Sequence, residues 1–322
     1  MENYKINVLV TGGAGFIGSH IVDLLVKENK YKVYSLDNYA TFRGKAPKDR
    51  MNPMVHYIRG DIRNLAALSK IFKKVRPRYV FHTAALARIQ PSIKDPHLYL
   101  EVNSKGTLNL LTVARESGVK RIVYSASSSA YGRNKIPYKE DMNPDPLNPY
   151  AKTKLDGEQW MVIFSELFGL ESVSLRYFNV YGPRNTYAGP YTTVITRFLH
   201  LYQHKSPMTI VGSGKQTRDY THVTDVAKAN YLAALSKKVG KGEVINIGCG
   251  ERYSVNKIAE LVGGAKLNVL LKNGSAKFVP ARPGEAAHTL ADHRKAKKLL
   301  GWKPQVKFSD GVSELRKLYK LS

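Results

Sequence analysis

The sequence has little of what marks membrane, secreted or metal-cluster proteins. Cys249 is the only cysteine among 322 residues, so neither an internal disulfide nor a thiolate metal cluster can form within the chain. No apolar run approaches the roughly 20 residues that a membrane-spanning helix needs. The first predicted strand begins within a few residues of Met1, which leaves no room for a signal peptide. We therefore expect a cytoplasmic protein without a membrane partner.

Acidic residues are also scarce relative to basic ones. The chain has 51 Lys and Arg against 25 Asp and Glu, a net charge of +26. A nucleic-acid-binding protein would gather these charges in a stripe with interleaved aromatic residues. Here they are spread over predicted helices, for example at Lys73, Lys238 and Lys297. We interpret them as a solvated basic surface that attracts anionic substrates, and we expect no nucleic-acid partner.

Short apolar runs alternate with helical patterns in the first half of the chain. This alternation predicts an α/β fold with a doubly wound parallel sheet. The predicted strands are Ile6–Val10, Val33–Leu36, Val55–Arg59, Tyr79–His82, Ile122–Ser125 and Val173–Tyr177, and the predicted helices are Phe16–Lys27, Leu65–Phe72, Val102–Glu116 and Lys152–Phe168.

From about Gly182 the loops become longer and the helices isolated, which predicts a second, smaller mixed α/β domain. We place the first domain at 1–180, with 223–247 returning to it as a helix–strand unit. The second domain takes 181–222 and 248–322.

A glycine-rich turn, Thr11-Gly12-Gly13-Ala14-Gly15-Phe16-Ile17-Gly18, joins the first predicted strand to the first predicted helix. Gly12 allows a sharp turn, and Gly15 lets the backbone approach a pyrophosphate held by the helix N-terminus. Gly18 lets the helix pack closely on the sheet. In this strand–turn–helix context the glycines predict a Rossmann dinucleotide site.

Asp37 ends the second predicted strand of this unit. A carboxylate there accepts hydrogen bonds from the adenosine ribose diol and repels a 2′-phosphate, so NAD is preferred over NADP. Arg43 and Lys45 follow closely and leave some tolerance for NADP.

Tyr150 and Lys154 lie four residues apart at the start of a predicted helix, and therefore on one face of it. A free tyrosine titrates near ~10 and is a poor base at neutral pH. A nearby ammonium and a positive nicotinamide ring favour the phenolate. We expect a lowered pKa that lets Tyr150 act as an acid/base near pH 7.

The two spacings Gly12-xx-Gly15-xx-Gly18 and Tyr150-xxx-Lys154 together resemble the extended short-chain dehydrogenase/reductase family over essentially the whole chain. Further matching stretches are Gly60-Asp61-Ile62, Phe81-His82-Thr83-Ala84-Ala85, Asn103, Tyr131-Gly132, Arg176-Tyr177-Phe178-Asn179-Val180-Tyr181-Gly182-Pro183 and Arg218-Asp219-Tyr220. The NAD contacts that we expect beyond the glycines, Tyr150 and Lys154 are Phe16, Ile17, Asp37, Asn38, Asp61, Ile62, Ala84, Ala85, Asn103 and Tyr177. The resemblance also implies that Ser127 hydrogen-bonds the hydroxyl being oxidised.

The two residues after Ser127 narrow the reaction class. Sugar-nucleotide dehydratases of this family carry an Asp-Glu pair there, and decarboxylases carry a Glu at the second place. This chain has Ser128 and Ser129, whose hydroxyls cannot serve as the acid and base. What remains is oxidation at C4 to a 4-keto intermediate and re-reduction on the opposite face. The chain is thus similar to the UDP-glucose and UDP-N-acetylglucosamine 4-epimerases.

The substrate contacts that the resemblance implies are Ala87, Ser127, Ser128, Asn179, Val194, Arg218, Arg282 and Thr289. Two arginine forks on the UDP pyrophosphate would hold the substrate tightly. Thr289 occupies the position that gates the space beside C2 of the sugar, and its small size should admit both N-acetylated and plain hexoses.

Three alternatives stay open. Arg88 could meet a carboxylate, which keeps UDP-uronic acid 4-epimerases in play. A non-catalytic NAD- or nucleotide-binding protein, or a basic RNA-binding protein, would need no Ser127, Tyr150 and Lys154.

The family also implies a homodimer through the helices Val102–Glu116 and Lys152–Phe168, with an apolar surface drawn from Leu108, Leu111, Met161 and Phe164.

Overall fold

The structure, a computed structural model, describes residues 5–185, 187, 192–281 and 286–321. The strands are β1 Ile6–Thr11, β2 Tyr31–Asp37, β3 His56–Arg59, β4 Tyr79–His82, β5 Arg121–Ser127, β6 Glu171–Tyr177, β7 Val180–Tyr181, β8 Met208–Val211, β9 Thr217–Asp219, β10 Thr221–His222, β11 Lys241–Ile247, β12 Arg252–Ser254 and β13 Ala276–Val279. The helices are α1 Phe16–Lys27, α2 Leu65–Val75, α3 Ile89–Lys94, α4 Pro96–Tyr99, α5 Gly106–Glu116, α6 Pro149–Phe168, α7 Val194–Gln203, α8 Val223–Leu235, α9 Val255–Gly263, α10 Leu267–Lys272, α11 Arg294–Leu300 and α12 Phe308–Leu318.

Seven of the strands in the described part of the chain form one parallel sheet in the order β11-β6-β5-β4-β1-β2-β3. The chain runs from β1 outward through β2 to β3, then crosses back to β4 and runs outward on the other side. The crevice of such a sheet opens between β1 and β4, beyond their carboxyl ends, which is where this architecture binds ligands. The predicted Rossmann fold class is confirmed.

Helices cover both faces of the sheet, and the central strands are apolar runs for that reason. All seven residues of β5 are buried. One core cluster lies on the α1 and α8 side and includes Val10 and Trp302. The other lies on the α2, α5 and α6 side and includes Phe72 and Met161.

Two helix starts differ from the prediction. α6 begins at Pro149, earlier than predicted, because the Asn148 side chain caps it by accepting the Ala151 N–H at 2.9 Å and proline suits the first turn. α5 begins at Gly106, because residues Leu100–Lys105 form a wider π-helical turn. Single π turns of this kind are frequent at functional sites.

The second half of the chain contributes both to the parallel sheet and to a separate apolar cluster beside it. α8 packs against α1, and β11 pairs with β6 at the edge of the sheet. A separate apolar cluster, including Phe198, Ile258 and Phe308, lies among α7, α9 and α12. The domain bounds stay a prediction. Among the described residues, no helix has both the length and the apolar character that a membrane crossing requires.

Candidate active site

A cavity of about 1040 Å³ runs along the carboxyl edge of the sheet, between the sheet and the apolar cluster of α7, α9 and α12. The predicted site residues that line it are Gly12, Gly15, Phe16, Ile17, Gly18, Asp37, Asn38, Asp61, Ile62, Ala84, Ala85, Ala87, Ser127, Ser128, Tyr150, Lys154, Tyr177, Asn179, Val194, Arg218 and Thr289. Asn103 is not in the cavity wall. Arg282 lies outside the described residues.

The glycine turn is too tight for side chains. Gly12 has φ +69°, and a Cβ there would lie 2.7 Å from the backbone nitrogen of Ala84. A Cβ at Gly18 would lie 2.1 Å from the carbonyl oxygen of Gly12. Gly15 precedes α1 and has no side chain to cap its N-terminus. The helix N-terminus is thus left to bind an anion at the cavity wall, as a dinucleotide pyrophosphate requires.

Asp37 is held rigidly at the edge of this cradle. Its carboxylate accepts the Ala14 N–H at 3.1 Å and the Tyr39 N–H at 2.8 Å. Burial raises the pKa of Asp37, and these two hydrogen bonds oppose the shift. The carboxylate oxygens retain lone pairs for a ribose diol. Together with the glycine cradle, this arrangement fits the adenosine half of NAD.

Ser127 and Tyr150 meet across the cavity. Ser127 ends β5, Tyr150 lies in the first turn of α6, and the Ser127 hydroxyl is close enough to the phenol to influence its pKa. Ser129 donates to the Ser127 oxygen through its hydroxyl at 2.8 Å and its N–H at 3.2 Å. Tyr99 packs edge-on against the Tyr150 ring, with 6.4 Å between centroids. These contacts fix the phenol at the point where the sheet crevice opens.

The expected lowering of the Tyr150 pKa is wrong for this structure. Burial is the largest influence and raises the pKa of Tyr150, while the Ser127 hydrogen bond and the charge of Arg88 lower it. The cation that reaches the phenol is Arg88, where we had expected Lys154.

Lys154 is buried and lies 4.4 Å over the Tyr124 ring, a cation–π contact. Burial lowers the pKa of Lys154 to about 7, and the Glu158 carboxylate raises it. The side chain can therefore change its charge near neutral pH.

Asn103 lies outside the cavity and connects two segments of its wall through hydrogen bonds. Its side chain accepts the Leu86 N–H at 2.8 Å and donates to the Leu86 carbonyl at 2.9 Å. It also donates to the Thr153 hydroxyl at 3.1 Å. Because Thr153 adjoins Lys154 and Leu86 adjoins Ala87, Asn103 fixes the position of α6 relative to the loop after β4.

Asn179, Arg218 and Thr289 line the opposite end of the cavity. Thr289 is buried, and its hydroxyl accepts from the Asp219 N–H at 3.2 Å and the Asn179 amide at 3.4 Å. Arg218 donates to the Thr217 and Ala287 carbonyls at 3.0 Å. No cluster of three or more His, Cys, Asp or Glu suited to a metal occurs in the described ranges.

Sequence reasoning gave no role to Glu158 and Arg176, and to Arg88 only that of meeting a substrate carboxylate. Arg88 lines the cavity with φ +109°, a strained backbone for a residue with a side chain. Glu158 and Arg176 form a buried ion pair beside Lys154. The sequence offered two signals. Arg176 places a charge inside the predicted strand Val173–Tyr177, and Glu158 lies one helical turn after Lys154.

The chain is similar to known proteins over almost its full length. The family model for GDP-mannose 4,6-dehydratase matches residues 9–315. A putative UDP-glucose 4-epimerase of Methanocaldococcus jannaschii is 39% identical over 96% of each chain. The crystal structure of Thermus thermophilus UDP-glucose 4-epimerase with NAD has a TM-score of 0.88 and 33% identity, covering 98% of this chain and 99% of that one. A UDP-N-acetylglucosamine 4-epimerase of Methanobrevibacter ruminantium, in complex with UDP-N-acetylmuramic acid, has a TM-score of 0.87 and 36% identity, covering 98% of each.

The glycine cradle, the placement of Ser127 and Tyr150 in one cavity wall and these full-length similarities agree with the predicted family. The chain belongs to the extended short-chain dehydrogenases/reductases, in the GDP-mannose 4,6-dehydratase-like group that includes NAD-dependent UDP-sugar 4-epimerases.

Proposed function

We propose that the protein is an NAD-dependent 4-epimerase of a UDP-hexose, acting on UDP-N-acetylglucosamine/galactosamine, UDP-glucose/galactose, or both. The observation that carries the proposal is the meeting of Ser127 and Tyr150 at the mouth of the sheet crevice, beside two further serines. This site can move one proton at a sugar hydroxyl but holds no carboxylate at 128 or 129 for eliminating water.

The predicted cofactor and reaction class are confirmed by the relatives, which are UDP-sugar 4-epimerases and include a structure with NAD. The chemistry that bound NAD supplies is reversible hydride acceptance at C4. Residues of the glycine cradle would hold its pyrophosphate, and Asp37 its adenosine ribose.

Within the chain, Tyr150 is the acid/base. Its phenolate accepts the proton of the C4 hydroxyl when that carbon is oxidised to the ketone, and returns it on reduction from the other face. Ser127 lies beside the phenol, and its hydroxyl can bond to the same sugar oxygen. Arg88 stabilises negative charge on the phenolate oxygen through its own positive charge. Lys154 lies one helical turn after Tyr150 on the same face of α6.

The C2 pocket is assigned to Thr289 and Ala87, both small residues on the cavity wall. Thr289 is fixed by the hydrogen bonds of its hydroxyl to the Asp219 N–H and the Asn179 amide. A small group at this place leaves room for an N-acetyl substituent. This supports use of UDP-N-acetylglucosamine, the substrate named for the Methanobrevibacter relative.

A second substrate class is favoured by Arg88. The charge of Arg88 acts on Tyr150, and Tyr150 must lie at C4 of the bound sugar to accept its proton. Arg88 therefore lies near C5, which carries the C6 substituent. A C6 carboxylate would pair with a guanidinium there. UDP-uronic acids are therefore the alternative substrate.

We also propose a cytoplasmic homodimer. α6 exposes Ile163, Leu167 and Phe168, with Leu167 72% and Phe168 45% exposed, an apolar surface at one end of a helix. The surface predicted from Leu108, Leu111, Met161 and Phe164 is wrong, because the last three side chains are buried in the chain's own core and Leu108 is partly buried against it. NAD and UDP-sugars are cytoplasmic metabolites, which supports that compartment.

A panel of UDP-sugars tests the proposal. We expect product NMR to show interconversion of C4 epimers without added cofactor, and absorbance at 340 nm to show no net NADH release. The NMR products separate hexose, N-acetylhexosamine and uronic acid substrates. Bound NAD with no conversion of any UDP-sugar would instead identify a non-catalytic nucleotide-binding protein.

A further inference from the structure

Two hydrogen bonds from Ser129 converge on the side-chain oxygen of Ser127. Ser127 caps the short 3₁₀ turn Ser128–Tyr131 at the end of β5, and Ser129 is the second residue of that turn. The Ser129 side chain is partly exposed and lines the same cavity as Ser127. Its hydroxyl donates to the Ser127 oxygen at 2.8 Å, and its N–H donates to the same oxygen at 3.2 Å.

These two bonds fill the acceptor capacity of the Ser127 hydroxyl. A serine oxygen has two lone pairs and one proton to donate. Because Ser129 occupies both lone pairs, the proton is the part of the Ser127 hydroxyl that is left for a group in the cavity. Burial raises the pKa of the Tyr150 phenol, and the Ser127 hydroxyl opposes that shift. This is the direction expected of a group that donates to the phenolate.

We propose that Ser129 is a positioning residue that restricts Ser127 to donating its proton toward the reacting oxygens. The proposal rests on the proposed epimerase function, because it concerns how Ser127 serves the reaction at C4. The bond from the Ser129 hydroxyl also polarises the Ser127 O–H and makes it a stronger donor.

The orientation of Ser127 decides the route of the proton. A relay in which Ser127 takes the sugar proton and passes its own to Tyr150 would need a free lone pair on Ser127, and Ser129 occupies both. The C4 hydroxyl therefore gives its proton to Tyr150 directly, so that the phenol O–H forms as the sugar O–H breaks. The C4 hydride goes to the bound NAD in the same oxidation. Ser127 keeps its own proton and donates to the sugar oxygen.

The acidity of Tyr150 is the property through which Ser129 can be tested. The charged and titratable groups packed around Tyr150 are Arg88 from the loop after β4, Tyr99 from α4, Tyr124 from β5 and Lys154 from α6. All of them stay in place when Ser129 is substituted. A change in the titration of Tyr150 therefore reports on the bond between Ser129 and Ser127.

Ser129→Ala removes the hydroxyl bond and leaves the N–H bond in place. We expect kcat to fall about 3- to 10-fold, the loss typical of one neutral hydrogen bond, with KM for the UDP-sugar and NAD content unchanged. The rising limb of the pH–rate profile should move to higher pH, because a weaker donor stabilises the phenolate less. Ser129→Thr, which keeps the hydroxyl, should restore both kcat and the profile.

A titration that needs no turnover separates this proposal from the proposed function. Tyrosine is labelled with ¹³C at Cζ, and the Tyr150 resonance of the NAD-bound protein is assigned by its absence from Tyr150→Phe. We expect a smaller phenolate fraction at each alkaline pH in Ser129→Ala than in the wild type or Ser129→Thr. Ser104→Ala is the matched control, because the Ser104 hydroxyl donates to Asp156 on α6 at 2.9 Å and lies outside the cavity wall.

The titration and the rates have distinct outcomes, and a thermal melt verifies that each variant is folded. An unchanged Tyr150 titration in Ser129→Ala would overturn the role of Ser129, and so would an equal change in Ser129→Thr or Ser104→Ala. A shifted titration in a protein that converts no UDP-sugar would instead uphold the bond between Ser129 and Ser127 and overturn the proposed epimerase function.

Discussion

The Glu158 carboxylate and the Arg176 guanidinium form a buried, hydrogen-bonded ion pair. Glu158 lies one helical turn beyond Lys154 on α6. Arg176 donates from Nε at 3.0 and 3.1 Å and from Nη2 at 2.7 Å, and the side chains are 3% and 4% exposed. Arg176 also lies 4.5 Å over the Tyr131 ring and pairs with Ala126, the neighbour of Ser127, across β5 and β6. The pair is therefore built into the wall behind the catalytic residues.

Glu158→Gln should strongly destabilise the protein, because it leaves the Arg176 charge buried without its partner. Breaking a buried pair in this way costs about 3–5 kcal/mol. Denaturant unfolding measures the loss. The control is Glu171→Gln at the opposite end of the same two strands, where Glu171 accepts from Arg121 at 2.8 Å but is 36% exposed. We expect a much smaller loss there, and equal losses would contradict the buried-pair explanation.

Tyr150→Phe should fold and retain NAD but lose most turnover, since the ring packing stays and the proton acceptor is gone. General acid–base catalysis typically contributes about 10²- to 10⁴-fold, which sets the expected fall in kcat. Initial rates by NMR and the dinucleotide content by HPLC are the measurements. Tyr99→Phe is the control, because it keeps the ring that packs against Tyr150 and removes a hydroxyl that donates to the Ala87 carbonyl at 3.2 Å. Near-normal turnover in Tyr150→Phe would rule out this tyrosine as the acid/base.

The buried Lys154 should make stability depend on alkaline pH. Its pKa falls to about 7 in the folded chain, below its ordinary value of 10.5. The unfolded chain therefore binds more protons between these values, and the free energy of unfolding rises with pH across that window. Below pH 7 Lys154 is charged in both the folded and the unfolded chain, and this gain in the free energy of unfolding is lost.

Lys154→Met should remove this contribution, so the wild type should gain stability relative to the variant from pH 7 to pH 10. Urea unfolding at several pH values gives the free energy of unfolding of the wild type and of the variant. The contributions of the other titrating groups cancel in the difference between the two. Lys152→Met is the control on the same helix, because Lys152 is exposed and pairs with Asp156. Parallel pH profiles for wild type and Lys154→Met would show that the ammonium is not desolvated.

Thr289→Tyr should fill the space beside C2. Overpacking of this kind costs ~1–3 kcal/mol, or about 10- to 100-fold in kcat/KM for the N-acetylated substrate. The plain hexose should be nearly unaffected, so the ratio of the two specificity constants is the informative quantity. Thr289→Ser, which keeps the hydroxyl that accepts the Asp219 N–H, is the control. An equal loss on both substrates would indicate general damage, and no loss would show that Thr289 does not border C2.

The sequence by itself determined the fold and the cofactor class. The spacing of Gly12, Gly15 and Gly18 carries most of its information locally, because Gly15 and Gly18 meet the backbone of Gly12 in the same turn, whereas Gly12 itself meets Ala84 after β4. The alternation of apolar runs and helices similarly reflects which faces of each element are buried. Tyr150 and Lys154 were recognisable because four residues of helix separate them, and Ser128 and Ser129 because they adjoin Ser127.

Only the tertiary structure decided the electrostatics of the site. The pKa of Tyr150 rises because burial outweighs the charges around it, and burial is a property of the whole packed chain. Asn103, expected at the cofactor, lies behind the wall because its partners come from the β4 loop and α6. No local pattern marks such residues, since their neighbours are set by how distant segments fold together.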